Sequence, residues 1–161
     1  RDAYPYSLEY RTRWIDNDQY SHINNSVYYH LFDSIVNTYL ITHAHLSPST
    51  SPLIGLVVAS HARFLAPLSF PDVLDLCLRV SALGTSSVTY EVAIFAKGTD
   101  TPAVLGGYTH VFVHRDSRKS APIAPDTRAA SNGCKFRQPQ ARAHHCHPSR
   151  PGSNRLRIES P

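Results

Sequence analysis

The amino-acid sequence predicts an α+β fold in which a curved five-stranded antiparallel sheet wraps around one long central helix, in the order β-α-β-β-β-β. Three observations favour this fold. A long apolar stripe at helical spacing lies near the N-terminus, four strand-like runs follow it in succession, and short turn-forming segments join several of these runs. A chain of 161 residues is long enough for one domain with a substantial core.

The first strand and the helix are predicted from two different periodicities. Apolar and charged side chains alternate over residues 6–14, as in a half-buried strand. A polar run, 16–25, is rich in turn-forming Asp, Asn and Ser. Apolar residues then recur at helical spacing over 27–43, and this stripe is wide enough to predict a helix of about 18 residues that is buried along most of its length. The N-cap candidates are Asn24, Asn25 and Ser26.

Four strand-like runs follow a Ser/Pro-rich loop at residues 47–52. They cover residues 56–65, 73–83, 87–96 and 103–114. Their short connections suit antiparallel hairpins. A sheet of five strands leaves an edge strand exposed, and pairing two such edges across a two-fold axis removes the exposed edge. We therefore expect a homodimer, with association of two dimers into a homotetramer left open.

The charge distribution divides the chain into a domain and a tail. Residues 1–120 carry nine Lys and Arg against ten Asp and Glu, whereas residues 121–161 carry seven against two. Because the basic excess belongs to the tail, no nucleic-acid partner is expected for the folded part. The domain is predicted over 1–130. Residues 131–161 contain few large apolar side chains and are predicted to be a disordered basic tail rich in His and Pro.

Several classes of site and location are not expected from the composition. The tail cluster His144-His145-Cys146-His147 is interpreted as adventitious metal affinity, so neither a metal site nor a cofactor is predicted. No run of about 18 apolar residues occurs, so no membrane-spanning helix is expected. The first ten residues lack the apolar core of a secretory signal. Three scattered cysteines fit a reducing compartment, and we expect the cytoplasm, with mitochondrial or peroxisomal import left open.

The segment that carries chemistry is residues 13–28, RWIDNDQYSHINNSVY. It places two carboxylates, an imidazole and two amides between a strand and a buried helix. The first N–H groups of a helix have no partner within it and are ready donors for an anion. A carboxylate just upstream can act as nucleophile or general base. The loop therefore combines the two parts that hydrolysis of a thioester needs.

A longer pattern runs from Trp14 through Asp16-Asn17-Asp18 and His22-Ile23-Asn24-Asn25 to the helix residues Tyr28 and Phe32. This pattern resembles the signature of the 4-hydroxybenzoyl-CoA thioesterase-like family of hotdog-fold acyl-CoA thioesterases. In that family an aromatic residue precedes Asp-x-Asp, and His-x-Asn-Asn then precedes an aromatic-rich helix. Stretches 63–68, 84–87 and 110–113 also look like family strands, so the resemblance covers about residues 6–130.

The resemblance implies an activity and a role for each residue of the pattern. It implies hydrolysis of acyl-CoA to a free acid and CoA, with Asp18 as catalytic nucleophile or general base and the main-chain N–H of Asn25 as oxyanion donor. His22 either contacts the thioester or braces the loop. Asp16 is interpreted as a structural acid that pairs with Arg13. The substrate-binding candidates are Asn24, Tyr28, Phe32, Gly84, Ser86 and Ser87. Among these, Asn24 is also the natural helix cap, and the two aromatic residues suit the core equally well.

Two departures from the family pattern leave alternatives open. Ser21 stands where relatives often carry Gly, and it would be strained if that position requires a positive φ. The hairpin at residues 84–87 has no basic residue for CoA phosphates, so main-chain N–H groups or Arg63, Arg79 or Lys97 would have to serve. The alternatives are an acyl-carrier-protein thioesterase and a catalytically inactive module that binds acyl groups or a partner. A hotdog dehydratase is less consistent with the sequence, because no helical His–acid pair stands out.

Overall fold

A computed structural model describes residues 1–135 of the 161. The strands and helices, in chain order, are β1 (Tyr6–Arg11), α1 (Asn25–His43), β2 (Leu53–Phe64), β3 (Val73–Leu83), β4 (Ser87–Ala96), β5 (Val104–His114) and α2 (Pro125–Gly133). A short 3₁₀ turn, Trp14–Asp16, lies between β1 and α1. The five strands form one antiparallel sheet, as predicted, and the structure adds their order, β1-β3-β4-β5-β2.

The core lies between α1 and one face of the sheet. The buried residues of α1 are Tyr28, Leu31, Phe32, Ile35, Val36, Tyr39 and Leu40. They pack against alternate residues of β3, β4 and β5, among them Leu76, Val92 and Phe112. Gly106 of β5 allows close approach, because a Cβ at this position would lie 2.6 Å from the ring of Phe32. Each large apolar side chain buried here contributes about 1.5–3 kcal/mol to folding.

The strand register defines two ends of the sheet. Arg11 pairs with Val73 and Phe64 pairs with Val104, so the loops 12–24, 65–72 and 97–103 gather at one end, here called the loop end. The turn between β3 and β4 lies at the opposite end, here called the hairpin end. Strands of 10 or 11 residues separate the two ends, which corresponds to about 33 Å. Helix α1 begins at the loop end.

The second helix was not predicted, and it corrects the expectation of a single helix. Helix α2 packs on α1 and β3, and the Tyr39 hydroxyl donates a hydrogen bond of 2.9 Å to the carbonyl of Ala130. Just after α2, the carbonyl of Cys134 accepts from the N–H of Val80 at 2.9 Å. The predicted domain boundary at residue 130 therefore falls inside α2. Of the predicted disordered tail, 131–161, residues 131–133 lie in α2, and residues 136–161 lie outside the described residues.

Strand β2 is an edge strand with an apolar surface. Leu56, Val57 and Val58 are 39%, 49% and 61% exposed. The strand begins at Leu53, three residues earlier than predicted, and its pairing with β5 shifts register between Val57 and Ala59. Over residues 1–135, neither helix has the length and apolar character that crossing a membrane requires.

Candidate active site

The loop between β1 and α1 is anchored by the buried carboxylate of Asp16, which is 1% exposed. The main-chain N–H of Arg13 donates to it at 2.7 Å, and the Arg13 guanidinium donates at 2.8 Å and 3.1 Å. The Tyr10 hydroxyl adds a fourth hydrogen bond at 2.7 Å. The structural pairing of Asp16 with Arg13 is as predicted. This carboxylate therefore ties the end of β1 to the turn that follows it.

The electrostatics of Asp16 favour its charged form. Burial alone would raise the pKa of this carboxyl, but the hydrogen bonds from Arg13 and Tyr10 outweigh burial and lower the pKa below its ordinary value of 3.8. Burial and the adjacent carboxylate raise the pKa of the Tyr10 hydroxyl. Asp16 is therefore ionised at neutral pH and serves as a fixed anchor.

Asp18 lies two residues further along, in a tight turn that leaves one carboxylate oxygen without a donor. Its Oδ1 accepts from the N–H of Tyr20 at 2.8 Å, whereas Oδ2 accepts no hydrogen bond within residues 1–135. The N–H of Asp18 donates to the carbonyl of His22 at 2.9 Å. Ser21 has a φ of 64°, so the strain expected for a serine at this glycine-type position is present.

The start of α1 presents an N–H group without an acceptor. Asn24 is the N-cap, as predicted, and its Oδ1 accepts from the N–H of Ser26 at 3.0 Å. The N–H of Asn24 donates to the carbonyl of Asp16 at 2.9 Å, which fixes the helix start to the anchored turn. Asn25 is the first helical residue, and its N–H has no acceptor among residues 1–135. The helix dipole adds positive potential at this point.

Two adjoining clefts lie on either side of this loop. Asp18 and Ser21 line one cleft, and His22 and Asn25 line the other. Ser21 and His22 are consecutive, so the linings of the two clefts are one peptide bond apart along the chain. Asp18 and Asn25 line different clefts.

The residues predicted to bind substrate are divided between the cleft and the core. Tyr28 is buried and lines the same cleft as Asn25, where burial raises the pKa of its hydroxyl to about 12. Phe32 is completely buried and lines neither cleft, so its contribution is to the core. His22 is exposed, and its ring makes no hydrogen bond within the described residues.

Sequence reasoning missed the aromatic walls of the Asp18 cleft. Trp14, 80% exposed, packs edge-to-face on Phe70 with ring centroids 5.8 Å apart, and both residues line the cleft. The N–H of Phe70 donates to Oδ1 of Asn17 at 3.0 Å, which joins the loop before α1 to the loop before β3. The predicted pattern includes Trp14, but nothing local in the sequence indicates that residue 70 meets it.

The predicted hairpin contacts lie far from these clefts. Gly84, Ser86 and Ser87 are at the hairpin end of the sheet, while Asp18 and Asn25 are at the loop end. The hairpin does have a basic neighbour, since the guanidinium of Arg128 donates to the carbonyls of Gly84 and Thr85 at 2.8 Å and 3.1 Å. Arg128 belongs to α2, a helix that was not predicted from the sequence. Pro125, at the first position of α2, and Asp126 in its first turn were the available signal for this helix.

The other basic residues considered for binding CoA phosphates differ in whether they already form ion pairs. Arg79 pairs with Glu91 at 2.6 Å, and Lys97 pairs with Glu9. Arg63 is exposed on β2 and has no ion pair within the part of the chain that is described. No group of three potential metal ligands occurs within residues 1–135, and the histidine cluster of the tail lies outside that range.

Comparisons with known proteins agree with this architecture. The family model described as the thioesterase superfamily matches residues 20–103. A crystal structure of the Pseudomonas aeruginosa protein PA5185 is 41% identical to the chain, covers 84% of it and 95% of its own length, and superposes with a TM-score of 0.83. No curated protein matches the chain significantly.

More distant structures share the fold alone. Slr0204, a 1,4-dihydroxy-2-naphthoyl-CoA thioesterase from Synechocystis, is 18% identical over 78% of the chain and 94% of its own length, with a TM-score of 0.71. SAV2348 from Staphylococcus aureus, in complex with CoA, is 15% identical over 83% of the chain and 89% of its own length, with a TM-score of 0.73.

The anchoring role of Asp16 predicts a pH-dependent loss of stability in Asp16→Asn. The variant should unfold about 2 kcal/mol more easily at pH 7, because hydrogen bonds to a charged acceptor are lost. Since the pKa of Asp16 is lowered on folding, this difference is present above pH 3.8 and disappears as the pH falls through the lower folded-state value. Urea denaturation from pH 7 to pH 2 measures it.

The control for this series is Asp116→Asn, which alters an exposed carboxylate with no ion pair within residues 1–135. It should leave the free energy of unfolding unchanged at every pH. Equal stability of Asp16→Asn and the wild type at pH 7 would show that Asp16 does not anchor the loop.

Proposed function

The chain belongs to the thioesterase superfamily, and on this premise we propose that it hydrolyses acyl-CoA to a free acid and CoA. Membership confirms the family predicted from the pattern of residues 14–32 and supports thioester hydrolysis. The observation that carries the proposal of a catalytic site is the N–H of Asn25 at the start of α1, which has no acceptor in the described residues and borders a cleft. Asp18 lies seven residues earlier in the chain, and only one of its carboxylate oxygens accepts a hydrogen bond in the described residues.

The proposed chemistry takes place where the two clefts adjoin. The thioester carbonyl lies near the peptide between Ser21 and His22, with its oxygen toward the N–H of Asn25. As the carbonyl carbon becomes tetrahedral, negative charge develops on this oxygen, and the N–H and the helix dipole stabilise it. The carbon–sulfur bond then breaks, and CoA leaves as a thiolate that takes up a proton.

Asp18 initiates this reaction by one of two routes. As general base it takes a proton from water, and the resulting hydroxide attacks the carbonyl. As nucleophile its carboxylate attacks directly and forms a mixed anhydride, which water then hydrolyses. The free Oδ2 of Asp18 supports both routes, because a carboxylate that accepts hydrogen bonds at both oxygens would be less available for either.

The proposal of CoA as the leaving group is supported by the hairpin end of the sheet. The sequence shows no basic residue in the hairpin itself, but Arg128 places a guanidinium on its carbonyls. A cation at this position suits the phosphates of CoA. Arg63, exposed on β2 without an ion pair in the described residues, offers a second cation nearer the loop end. The alternative is an acyl-carrier-protein substrate. Rates of hydrolysis for the same acyl group carried by CoA and by an acyl-carrier protein distinguish the two.

We propose that the functional unit is a homodimer joined along β2. The apolar side chains of Leu56, Val57 and Val58 need a covering surface, and the edge of β2 needs a pairing strand. Antiparallel pairing of two copies reverses the strand direction, so the hairpin end of one protomer lies on the same side as the loop end of its partner. The predicted CoA contacts at Gly84, Ser86 and Ser87 would then serve the active site of the other protomer.

The cytoplasm is the compartment that we propose. Cys77 and Cys134 are both free and buried. Burial raises the pKa of both thiols, that of Cys134 to about 11, so both stay protonated and unreactive. Free thiols of this kind suit a reducing environment.

The catalytic proposal predicts the effect of Asp18→Asn. The variant should lower kcat/KM on a panel of acyl-CoA thioesters by about 10³-fold, because the amide is neither a base nor a nucleophile. Thiol release measured with a chromogenic reagent gives the rate. Asp116→Asn, an exposed acid at the hairpin end, is the matched control and should keep full activity. Unchanged turnover by Asp18→Asn would refute the mechanism.

The dimer proposal predicts that Val57→Glu yields a monomer. The dimer would bury a carboxylate of each protomer in an apolar interface, and its desolvation would be too costly. Light scattering on a sizing column should give twice the chain mass for the wild type and the chain mass for the variant. Ile15→Glu changes a side chain that is 78% exposed outside β2 and should remain dimeric. A dimeric Val57→Glu would place the interface elsewhere.

A further inference from the structure

A separate cavity of about 220 Å³ lies at the hairpin end of the sheet. It is a half-open space between the second half of α1, the beginning of β2, the loop that precedes β2 and the end of β5. Its walls include Leu40, Ile54, His110 and Arg115. None of these residues lines the clefts of the candidate active site. We call this space the His110 cavity.

His110 is the unusual member of these walls, because it is a buried histidine without a hydrogen-bond partner. Its side chain is 4% exposed and lies among the rings of Tyr90, Tyr108 and Phe112, at centroid distances of 5.4, 4.8 and 6.1 Å. Its Nδ1 has no partner among the described residues. Buried polar atoms without a partner are rare in folded proteins, because their desolvation is not offset. A phenylalanine would fill the same space without this cost.

The space for the His110 ring depends on a glycine of β2. A Cβ at Gly55 would lie 2.6 Å from Nδ1 of His110, so any other residue would displace the ring. Burial lowers the pKa of His110 to about 4, and Asp33 opposes this shift only in part. The ring is therefore neutral at pH 7 and carries one N–H donor and one acceptor nitrogen.

Arg115 brings a positive charge to the same cavity. Its Nε donates to the carbonyl of Ser51 and its Nη2 to the carbonyl of Pro48, both at 2.8 Å. These two hydrogen bonds hold the guanidinium in place. No carboxylate within residues 1–135 forms an ion pair with it, so its charge is not neutralised by this part of the chain. A fixed guanidinium in this state is a natural partner for a carboxylate ligand.

The remaining walls are aliphatic. Leu40, Leu46 and Ile54 line the cavity together with Pro48. A volume of 220 Å³ corresponds to that of roughly seven water molecules in the liquid. The space therefore accommodates a short aliphatic chain with one polar end.

We propose that the His110 cavity is a binding site for a short-chain aliphatic carboxylate, such as butyrate. The carboxylate pairs with the guanidinium of Arg115 and hydrogen-bonds to the ring of His110, and the chain lies along Leu40 and Ile54. A carboxylic acid is also the type of product that the proposed hydrolysis releases. Occupation of the cavity would therefore give the protein a second place at which such an acid binds, at the opposite end of α1 from the candidate active site.

Titration with sodium butyrate, followed by NMR of ¹³C-labelled methyl groups, tests the proposal. The methyl signals of Leu40 and Ile54 should shift in a saturable manner. 1-Butanol, which has the same chain without the charge, should bind at least tenfold more weakly. Shifts confined to residues beside the Asn25 cleft, or no saturable shift at all, would overturn the proposal.

Two variants separate binding from packing. His110→Phe keeps the ring shape and should weaken butyrate binding at least tenfold, since the hydrogen bond is lost. Ile54→Phe fills the cavity and should abolish binding. Thermal unfolding of both variants checks that they fold, and His110→Phe should be at least as stable as the wild type. Wild-type affinity for butyrate in both folded variants would contradict the assignment.

The butyrate titration tests the His110 cavity independently of the proposed hydrolysis, because it measures binding and not turnover. Asp18→Asn should bind butyrate as the wild type does, and His110→Phe should hydrolyse thioesters as the wild type does. Loss of butyrate binding in Asp18→Asn would count against a separate site. Saturable binding in a protein that hydrolyses no thioester would uphold the site while the proposed function fails.

Discussion

The burial of α1 is the constraint on which the rest of the structure depends. Seven of its side chains, from Tyr28 to Leu40, are removed from water by a single face of the sheet. Strand β2 keeps an exposed apolar surface because it lies at the edge of this sheet. Close packing of the helix requires Gly106 beside Phe32. Because the helix is fixed along its length, its first N–H groups are also fixed, and that of Asn25 has no acceptor in residues 1–135. The same packing that stabilises the fold thus places this N–H, without an acceptor in the described residues, at the loop end.

The carboxylate of Asp16 transmits this order to the loop. The carboxylate accepts hydrogen bonds from Tyr10, near the end of β1, and from Arg13. The main-chain carbonyl of Asp16 accepts a hydrogen bond from the N–H of Asn24, the helix cap. The turn that contains Asp18 is therefore held at both ends. Such anchoring also sustains the positive φ of Ser21, a conformation that costs energy for a residue with a side chain.

The elements with strong periodicity could be predicted from the sequence, whereas contacts between distant segments could not. The spacing of apolar residues gave α1 and the alternation in 73–83 and 87–96 gave two strands with their observed bounds. Helix α2 was missed because its nine residues are mostly small and polar, and its stability comes from contacts such as Tyr39 with Ala130. The local motif predicted Asp18 and Asn25 as site residues, and their roles stay predictions. The approach of Phe70 to Trp14 and of Arg128 to Gly84 depends on tertiary packing, which a local motif does not encode.

The central claim is that the main-chain N–H of Asn25 stabilises the oxyanion, and Asn25→Pro tests it most directly. Proline is tolerated at the first position of a helix and removes only this N–H. The backbone of Asn24, with φ −58° and ψ 137°, also suits a following proline. Asn25→Ala, which keeps the N–H, is the control. We expect kcat for acyl-CoA hydrolysis to fall by about 10²–10³-fold in Asn25→Pro and to stay near the wild-type value in Asn25→Ala. Equal kcat values for two folded variants would contradict it.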